Sequence, residues 1–236
     1  MTAIYAGVSK DLNFGILASD DLESNYGRKV DKVFILGKKF AFAVTGLDTA
    51  AHAIREIAFF EYYSNIEIPT NIHDLAVLIG NTTLNICKRL KPHFKNDRHW
   101  HSLQRSSIGI VALDLKDLQL YFLEYGCPFH PERYYATPKI ETKASGQLHF
   151  FALAKKIEMV PSKTLDQECV EDPSNYFENI INSHRLKNDK IGHLGARVIT
   201  RNGDIELLSC YSDIKEYIDY TYRHLMGFTI NLSSDS

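Results

Sequence analysis

Short runs of β-branched and aromatic residues recur in pairs along this chain, and a few turn-forming residues separate the members of each pair. The most specific pair is GARVITRNGDIELLSC (195–210), in which Asn202-Gly203 lies between two apolar runs. Asn-Gly suits the two-residue turn that joins antiparallel strands, because both of its positions need a positive φ. The pairs therefore predict antiparallel sheets built from hairpins.

In other segments the apolar residues have the spacing of a helix, so the chain is not all β. Apolar residues recur every three or four positions in four segments, which start near Thr49, His73, Gln147 and Pro173. The last three segments end near Leu90, Lys156 and Ser183. Three more strand pairs are predicted, namely residues 2–9 with 14–20, 30–37 with 40–46, and 107–114 with 118–126. Strand pairs mixed with helices favour an α+β fold, with two antiparallel sheets stacked face to face and helices outside.

Composition limits the class of protein. The 236 residues are 44% hydrophobic, which is enough for one large domain to bury a core. Lys and Arg number 27 against 29 Asp and Glu, so no basic excess favours a nucleic-acid partner. Apolar runs such as FAFAV (40–44) are too short to cross a bilayer. The four cysteines are single and widely spaced, which indicates buried thiols in a reducing compartment: Cys87, Cys127, Cys169 and Cys210. Together these features predict a cytoplasmic protein without a membrane or nucleic-acid partner and without a cofactor or resident metal.

Thr2 directly follows Met1, so removal of the methionine would make a threonine the N-terminus. Such a residue carries a hydroxyl nucleophile and a free α-amine that titrates at about 7.7–8.0. The amine can take the hydroxyl proton near neutral pH, which is a recognised pairing of nucleophile and base. Thr2 is therefore a candidate catalytic residue.

Four pieces of the first fifty residues occur in a specific order and spacing: T2-x-I-x-x-G-V, LASD (17–20), VDKVF (30–34) and AVTG (43–46). In this order they resemble a proteasome β-subunit or its bacterial relative HslV, both N-terminal-nucleophile hydrolases. The resemblance implies a four-layer αββα sandwich formed by one domain over residues 1–236, with a flexible tail from about residue 226. Its specificity falls steeply after residue 125.

The resemblance also implies roles for individual residues. Thr2 would attack a peptide carbonyl, and Lys32 would hold a positive charge near its hydroxyl. Asp20 would pair with Lys32, and the Gly46 amide would donate to the oxyanion. Ser145, which precedes a glycine, and Asp189 would tune the Thr2 amine. Gly192 stands where the family has a serine, which is a departure from the pattern.

Lys32 attracts attention without the resemblance. By the two-residue alternation of a strand, it shares the more apolar face of VDKVF with Val30 and Phe34. A lysine on such a face needs a charged partner. Asp20 alone would be read as ordinary turn chemistry after a strand.

Three functions remain open at the sequence level. One is a threonine endopeptidase that hydrolyses unfolded polypeptides inside rings of at least about twelve copies, with a separate ATP-dependent unfoldase as partner. The others are a catalytically inactive scaffold subunit of the same kind and an amidase acting on small molecules. Retention of Thr2, Asp20 and Lys32 favours the first over the scaffold.

Two segments admit more than one interpretation. His93, His99 and His101 surround Trp100 and suggest either a metal site or an inter-subunit contact loop, and the contact loop fits better because Trp is enriched at interfaces. The segment DIKEYIDYTYRHLMGF (213–228) has one apolar helical face, which suits core packing or docking on a neighbour.

Overall fold

The computed structural model describes residues 3–23, 28–29, 32–37, 39–46, 49–94, 107–130, 134–154, 156–186 and 191–208. In chain order the first strands are β1 (Ala3–Ser9), β2 (Phe14–Asp20), β3 (Leu22–Glu23), β4 (Arg28–Lys29), β5 (Val33–Leu36) and β6 (Phe40–Gly46). Then come α1 (Thr49–Ser64), α2 (Ile72–Phe94), β7 (Ile108–Asp114), β8 (Gln119–Tyr125), β9 (Lys139–Lys143), β10 (Gln147–Ala154) and β11 (Lys156–Thr164). The last elements are α3 (Gln167–Glu171), α4 (Pro173–Arg185), β12 (Leu194–Arg201) and β13 (Asp204–Leu208).

The larger sheet has six strands in the order β11-β10-β1-β2-β12-β13, and its neighbours are antiparallel. The predicted hairpin at residues 195–210 is confirmed, because β12 and β13 pair across Asn202 and Gly203, whose φ angles are 52° and 88°. Both angles are positive, as a two-residue hairpin turn with the right twist requires. β1 and β2 form the predicted opening hairpin, with Ile4 opposite Ser19.

The second sheet has five strands in the order β5-β6-β7-β8-β9, and β3 with β4 forms a separate two-stranded ribbon. One apolar core joins the two larger sheets, since it combines buried residues from both: Ile4, Val8, Leu17, Val33, Val111 and Phe122 are among them. The alternate residues of β1 and β2 face the other way and pack with α3 and α4, as Tyr5 and Ile16 do with Phe177. Successive side chains of β1 and β2 therefore pack into two different cores, one on each face of the sheet.

The chain divides into two compact units. The first holds most of both larger sheets together with α3 and α4. The second contains α1 and α2, which pack against each other, and Arg89 on α2 pairs with Glu56 on α1 at 2.9 Å. Both predicted helices of this unit are confirmed. The described elements form an α+β fold with two antiparallel sheets.

One predicted helix is a strand. Residues 147–156 were expected to be helical, but Gln147–Ala154 forms β10, which pairs with β1 on one side and β11 on the other. Leu148 and Phe151 pack into cores on opposite faces of the sheet, so the segment is apolar on both faces. A short run that is apolar throughout does not distinguish a buried strand from a buried helix. Among the described helices, none is long and apolar enough to span a bilayer.

Candidate active site

Asp20 and Lys32 form a buried ion pair where the two sheets face each other. Asp20 is the last residue of β2, and Lys32 directly precedes β5 of the second sheet. Lys32 Nζ lies 2.8 Å from Asp20 Oδ1, and the two side chains are 11% and 0% exposed. A buried charge is stable only when it is paired and its remaining hydrogen-bonding capacity is filled. The surroundings of Asp20 must therefore supply further donors.

Two backbone amides supply them. The Ala3 N–H donates to Asp20 Oδ1 at 2.9 Å, and the Gly192 N–H donates to Asp20 Oδ2 at 3.0 Å. Both carboxylate oxygens are thus engaged by charge-assisted hydrogen bonds, which hold the carboxylate in one orientation. Ala3 is the first residue of β1 and follows Thr2 in the sequence, so β1 is tied directly to the ion pair.

Residues 191–193 and the start of β12 also hold Asp20 in place, through contacts with its backbone and with Asp21. The Asp21 N–H donates to the His193 carbonyl at 2.9 Å, and the His193 N–H donates to Asp21 Oδ1 at 2.8 Å. Gly195 sits so close to β2 that an added Cβ would lie 3.0 Å from the Asp21 nitrogen and 3.1 Å from the Asp20 carbonyl carbon. Backbone atoms give way less readily than a side-chain tip, so glycine at 195 permits this close approach.

We expect Gly195→Ala to lower both thermal stability and the activity proposed below, because β12 must move away from Asp20 to admit the methyl group. Gly203→Ala is the matched control, since it forces alanine into a φ of 88° in the far turn of the same hairpin, with no atom within 4 Å of the added Cβ. Each substitution should destabilise by about 1 kcal/mol. Only Gly195→Ala should lower kcat per folded molecule. Equal kcat values for the two variants would contradict a role for Gly195 in placing Asp20.

Gly46 ends β6 at the same end of the second sheet as Lys32. Val33 pairs with Ala43, so the start of β5 lies beside the end of β6. Gly46 is exposed and has a φ of 95°, which lies in the left-handed region that favours glycine. Gly46 is therefore an exposed residue at the end of the hairpin where Lys32 lies.

Ser145 lies elsewhere. Its hydroxyl accepts the Lys10 N–H at 3.1 Å and approaches the Val8 carbonyl at 3.4 Å, both beyond the middle of β1. Ala3 and Val8 are five residues apart in the strand, which is roughly 17 Å at about 3.4 Å per residue. The structure therefore does not bring Ser145 to Asp20 and Lys32, because the turn before β10 meets the opposite end of β1. We leave Ser145 out of the site.

Several predicted residues lie outside the described part of the chain: Thr2, Asp189, His99, Trp100, His101 and the segment 213–228. His93 belongs to α2. Within the described residues, no group of three or more histidine, cysteine, aspartate or glutamate side chains is placed to hold a metal ion.

Cys87, Cys127 and Cys169 are buried, and burial raises the pKa of Cys87 to about 11 and that of Cys169 to about 12.

The groups that the sequence did not reveal are backbone donors. The expected serine at position 192 is replaced by a glycine whose amide, not a side chain, binds Asp20. No side-chain pattern identifies a backbone N–H, and the glycines at 192 and 195 were the only available signal.

Comparison with known proteins supports the fold. No protein-family model matches the sequence, and no curated protein matches it. Solved structures of Anbu do match. A Gly-1 mutant of Anbu from Hyphomicrobium sp. strain MC1 has a TM-score of 0.52 at 10% identity, covering 100% of this chain and 98% of that one. Anbu, the ancestral beta-subunit, from Yersinia bercovieri has a TM-score of 0.51 at 11% identity, covering 99% and 97%. The helical assembly of the Anbu complex from Pseudomonas aeruginosa has a TM-score of 0.50 at 10% identity, covering 99% and 96%.

These matches correct the family assignment made from the sequence. The prediction of a proteasome β-subunit or HslV homologue is wrong, because the similar structures are Anbu proteins, which are proteasome-like but form a distinct family. The four short motifs that carried the resemblance cover parts of the first 46 residues only, which is too little of the chain to assign a family. At 10–11% identity the likeness establishes a shared fold over the whole chain.

Proposed function

We propose that this protein is an N-terminal-threonine peptidase that becomes active when Thr2 is the first residue. The observation that carries the proposal is the placement of the ion pair. Asp20 and Lys32 are buried together, and the Asp20 carboxylate is hydrogen-bonded to the N–H of Ala3, the residue bonded to Thr2. The Lys32 ammonium and the Ala3 N–H both bind Asp20 Oδ1, so the ammonium is close to the residue that follows Thr2 in the sequence.

The reaction balances with groups that this chain carries. The Thr2 α-amine takes the proton of the Thr2 hydroxyl, directly or through one water, as the hydroxyl oxygen bonds to the peptide carbonyl carbon. The resulting ammonium gives that proton to the departing amine, and an ester between Thr2 and the acyl half remains. Water then attacks the ester with the amine again as base, the ammonium returns that proton to the Thr2 oxygen, and the acid product leaves.

Lys32 and Asp20 supply the electrostatics of this reaction. The Lys32 ammonium stabilises negative charge on the Thr2 oxygen, and Asp20 orients the ammonium. Gly46 offers its backbone N–H to the carbonyl oxygen as that oxygen becomes negative, and its missing side chain lets the substrate backbone approach.

We also propose that copies of the chain assemble so that their sites face an enclosed space. Large exposed side chains on the last turns of α1 support self-association, since Phe60, Tyr62 and Tyr63 are 45%, 43% and 43% exposed and their rings, with Phe59, contact one another. Contiguous exposed aromatic surface is typical of protein interfaces. The Pseudomonas aeruginosa Anbu is described as a helical assembly, so an open spiral is as compatible with this fold as a closed ring.

An enclosed site would admit unfolded polypeptides and exclude folded proteins. Substrates would therefore be unfolded chains, with a separate ATP-dependent unfoldase as partner for folded ones. The proposal also includes the four-layer αββα sandwich that was expected from the sequence.

The test compares two preparations that differ only at the N-terminus. One starts at Thr2, exposed by cleavage of a removable tag, and the other keeps Met1. The first should hydrolyse a short fluorogenic peptide, with kcat/KM rising as pH passes about 7.7–8.0, where the free amine loses its proton. The second should be inactive, because Met1 removes the free amine from Thr2. Equal activity of the two preparations would overturn the proposal.

A further inference from the structure

The last turn of α4 contacts both segments that hold Asp20. Its two final residues are His184 and Arg185. The Tyr5 hydroxyl is hydrogen-bonded to His184 Nδ1 at 2.7 Å, and Tyr5 lies two residues after Ala3 in β1. The Arg185 guanidinium contacts His193 Nε2, next to Gly192 in the chain. Adjacent residues of one helix therefore reach the strand that supplies the Ala3 amide and the segment that supplies the Gly192 amide.

The contact with Tyr5 is well defined. The Tyr5 side chain is buried, and its ring stacks on the His184 ring with centroids 5.8 Å apart and planes at 17°. Phe150 packs on the His184 ring at 4.6 Å. Burial raises the pKa of Tyr5, and the charge of Asp20 raises it further, so the phenol stays protonated and lies within the field of the carboxylate. A hydrogen bond among stacked rings fixes β1 more firmly than apolar packing alone.

We propose that His184 and Arg185 are positioning residues for the active site, acting on Asp20 through Tyr5 and through His193. This inference rests on the proposed peptidase function. His184 contacts Tyr5, and Arg185 contacts His193. Each orients a backbone amide that binds one carboxylate oxygen, and Asp20 in turn orients Lys32. Loss of either contact lets its amide drift, and a small displacement of a catalytic group lowers the rate more than it lowers substrate binding.

Three variants separate the hydrogen bond from the ring packing. His184→Phe keeps a ring between Tyr5 and Phe150 but removes the nitrogen. His184→Asn loses the ring but keeps a hydrogen-bonding atom at the position of Nδ1. Tyr5→Phe removes the same hydrogen bond from the other side. A hydrogen bond of ordinary strength corresponds to a loss in kcat of about three- to ten-fold, with KM almost unchanged.

We expect His184→Phe and Tyr5→Phe each to show this loss in kcat, and the double variant to show no further loss. His184→Asn should retain most of the wild-type kcat. A contact that only stabilises the fold would lower the melting temperature and leave kcat per folded molecule unchanged in all three variants. Additive losses in the double variant, or wild-type kcat in His184→Phe, would overturn the inference.

Amide hydrogen exchange separates failure of the inference from failure of the proposed function. His184→Phe should speed exchange in peptides from β1, and Arg185→Leu should do so in peptides that contain residues 191–193, whether or not the wild-type protein hydrolyses peptides. Faster exchange with an inactive wild-type protein would support the positioning contacts and overturn the peptidase proposal. Unchanged exchange in both variants would overturn the positioning role even if the wild-type protein is active.

Discussion

Thr2→Ala should abolish peptide hydrolysis and leave the fold intact. The variant keeps a free α-amine and the Asp20–Lys32 pair but lacks the oxygen that forms the ester. Covalent catalysis then has no nucleophile, and we expect kcat to fall by at least about a thousand-fold. The melting temperature should change little, because the Thr2 hydroxyl is proposed to act in the reaction and not to stabilise the fold.

Thr2→Ser is the matched control, since it restores a hydroxyl beside the amine while removing the methyl group. It should recover measurable hydrolysis, within about ten-fold to a hundred-fold of wild type. If Thr2→Ala kept more than a few per cent of the wild-type rate, hydrolysis would depend on another nucleophile and the assignment of Thr2 would be wrong.

Lys32→Ala should damage both stability and activity. The substitution leaves Asp20 as a fully buried carboxylate that retains the Ala3 and Gly192 amides but loses the Lys32 ammonium. Breaking a buried pair by removing one partner destabilises by about 3–5 kcal/mol. The hydroxyl of Thr2 would also lose its stabilising ammonium, so we expect kcat to fall by at least about a hundred-fold.

Lys39→Ala provides the comparison. Lys39 also pairs with a buried aspartate, Asp114, at 3.4 Å, but it precedes β6 at the other end of the β5–β6 hairpin from Lys32 and its side chain is 29% exposed. Lys39→Ala should cost less stability than Lys32→Ala, because the Lys39 ammonium is partly in water, which weakens its pairing with Asp114. Its kcat per folded molecule should equal that of wild type. Equal losses of activity in the two lysine variants would show that Lys32 acts only through the fold.

Local chemistry made the hairpins predictable. Asn202-Gly203 specifies its turn through backbone conformation, and the pairing of β1 with β2 follows from two β-rich runs joined by Lys10–Asn13. α1 and α2 follow from apolar spacing that only a helix satisfies. The strand β10 could not be predicted in the same way, since what makes it a strand is its position between β1 and β11. That position is a property of the whole sheet.

The candidate site was predictable in part for the same reason. Lys32 could be selected from the sequence, because a lysine on an apolar strand face needs a partner. Asp20 was selected through the resemblance, since alone it would be read as turn chemistry. Their distance of 2.8 Å depends on the stacking of two sheets. Three contacts that support the site join residues far apart in the sequence: Ala3 with Asp20 (17 positions), Gly192 with Asp20 (172) and Tyr5 with His184 (179). No local sequence pattern predicts such contacts. Ser145 shows the converse, since its match to a serine-glycine motif did not determine which end of β1 it meets.

The most direct measurement is to trap the covalent intermediate. The active preparation is mixed with a slowly hydrolysed peptide ester, quenched in acid and digested, and the N-terminal peptide is weighed by mass spectrometry. We expect a peptide that begins at Thr2 and carries one acyl group on that residue, and no such peptide from Thr2→Ala. Steady hydrolysis with Met1 still attached, or with the acyl group on any other residue, would contradict it.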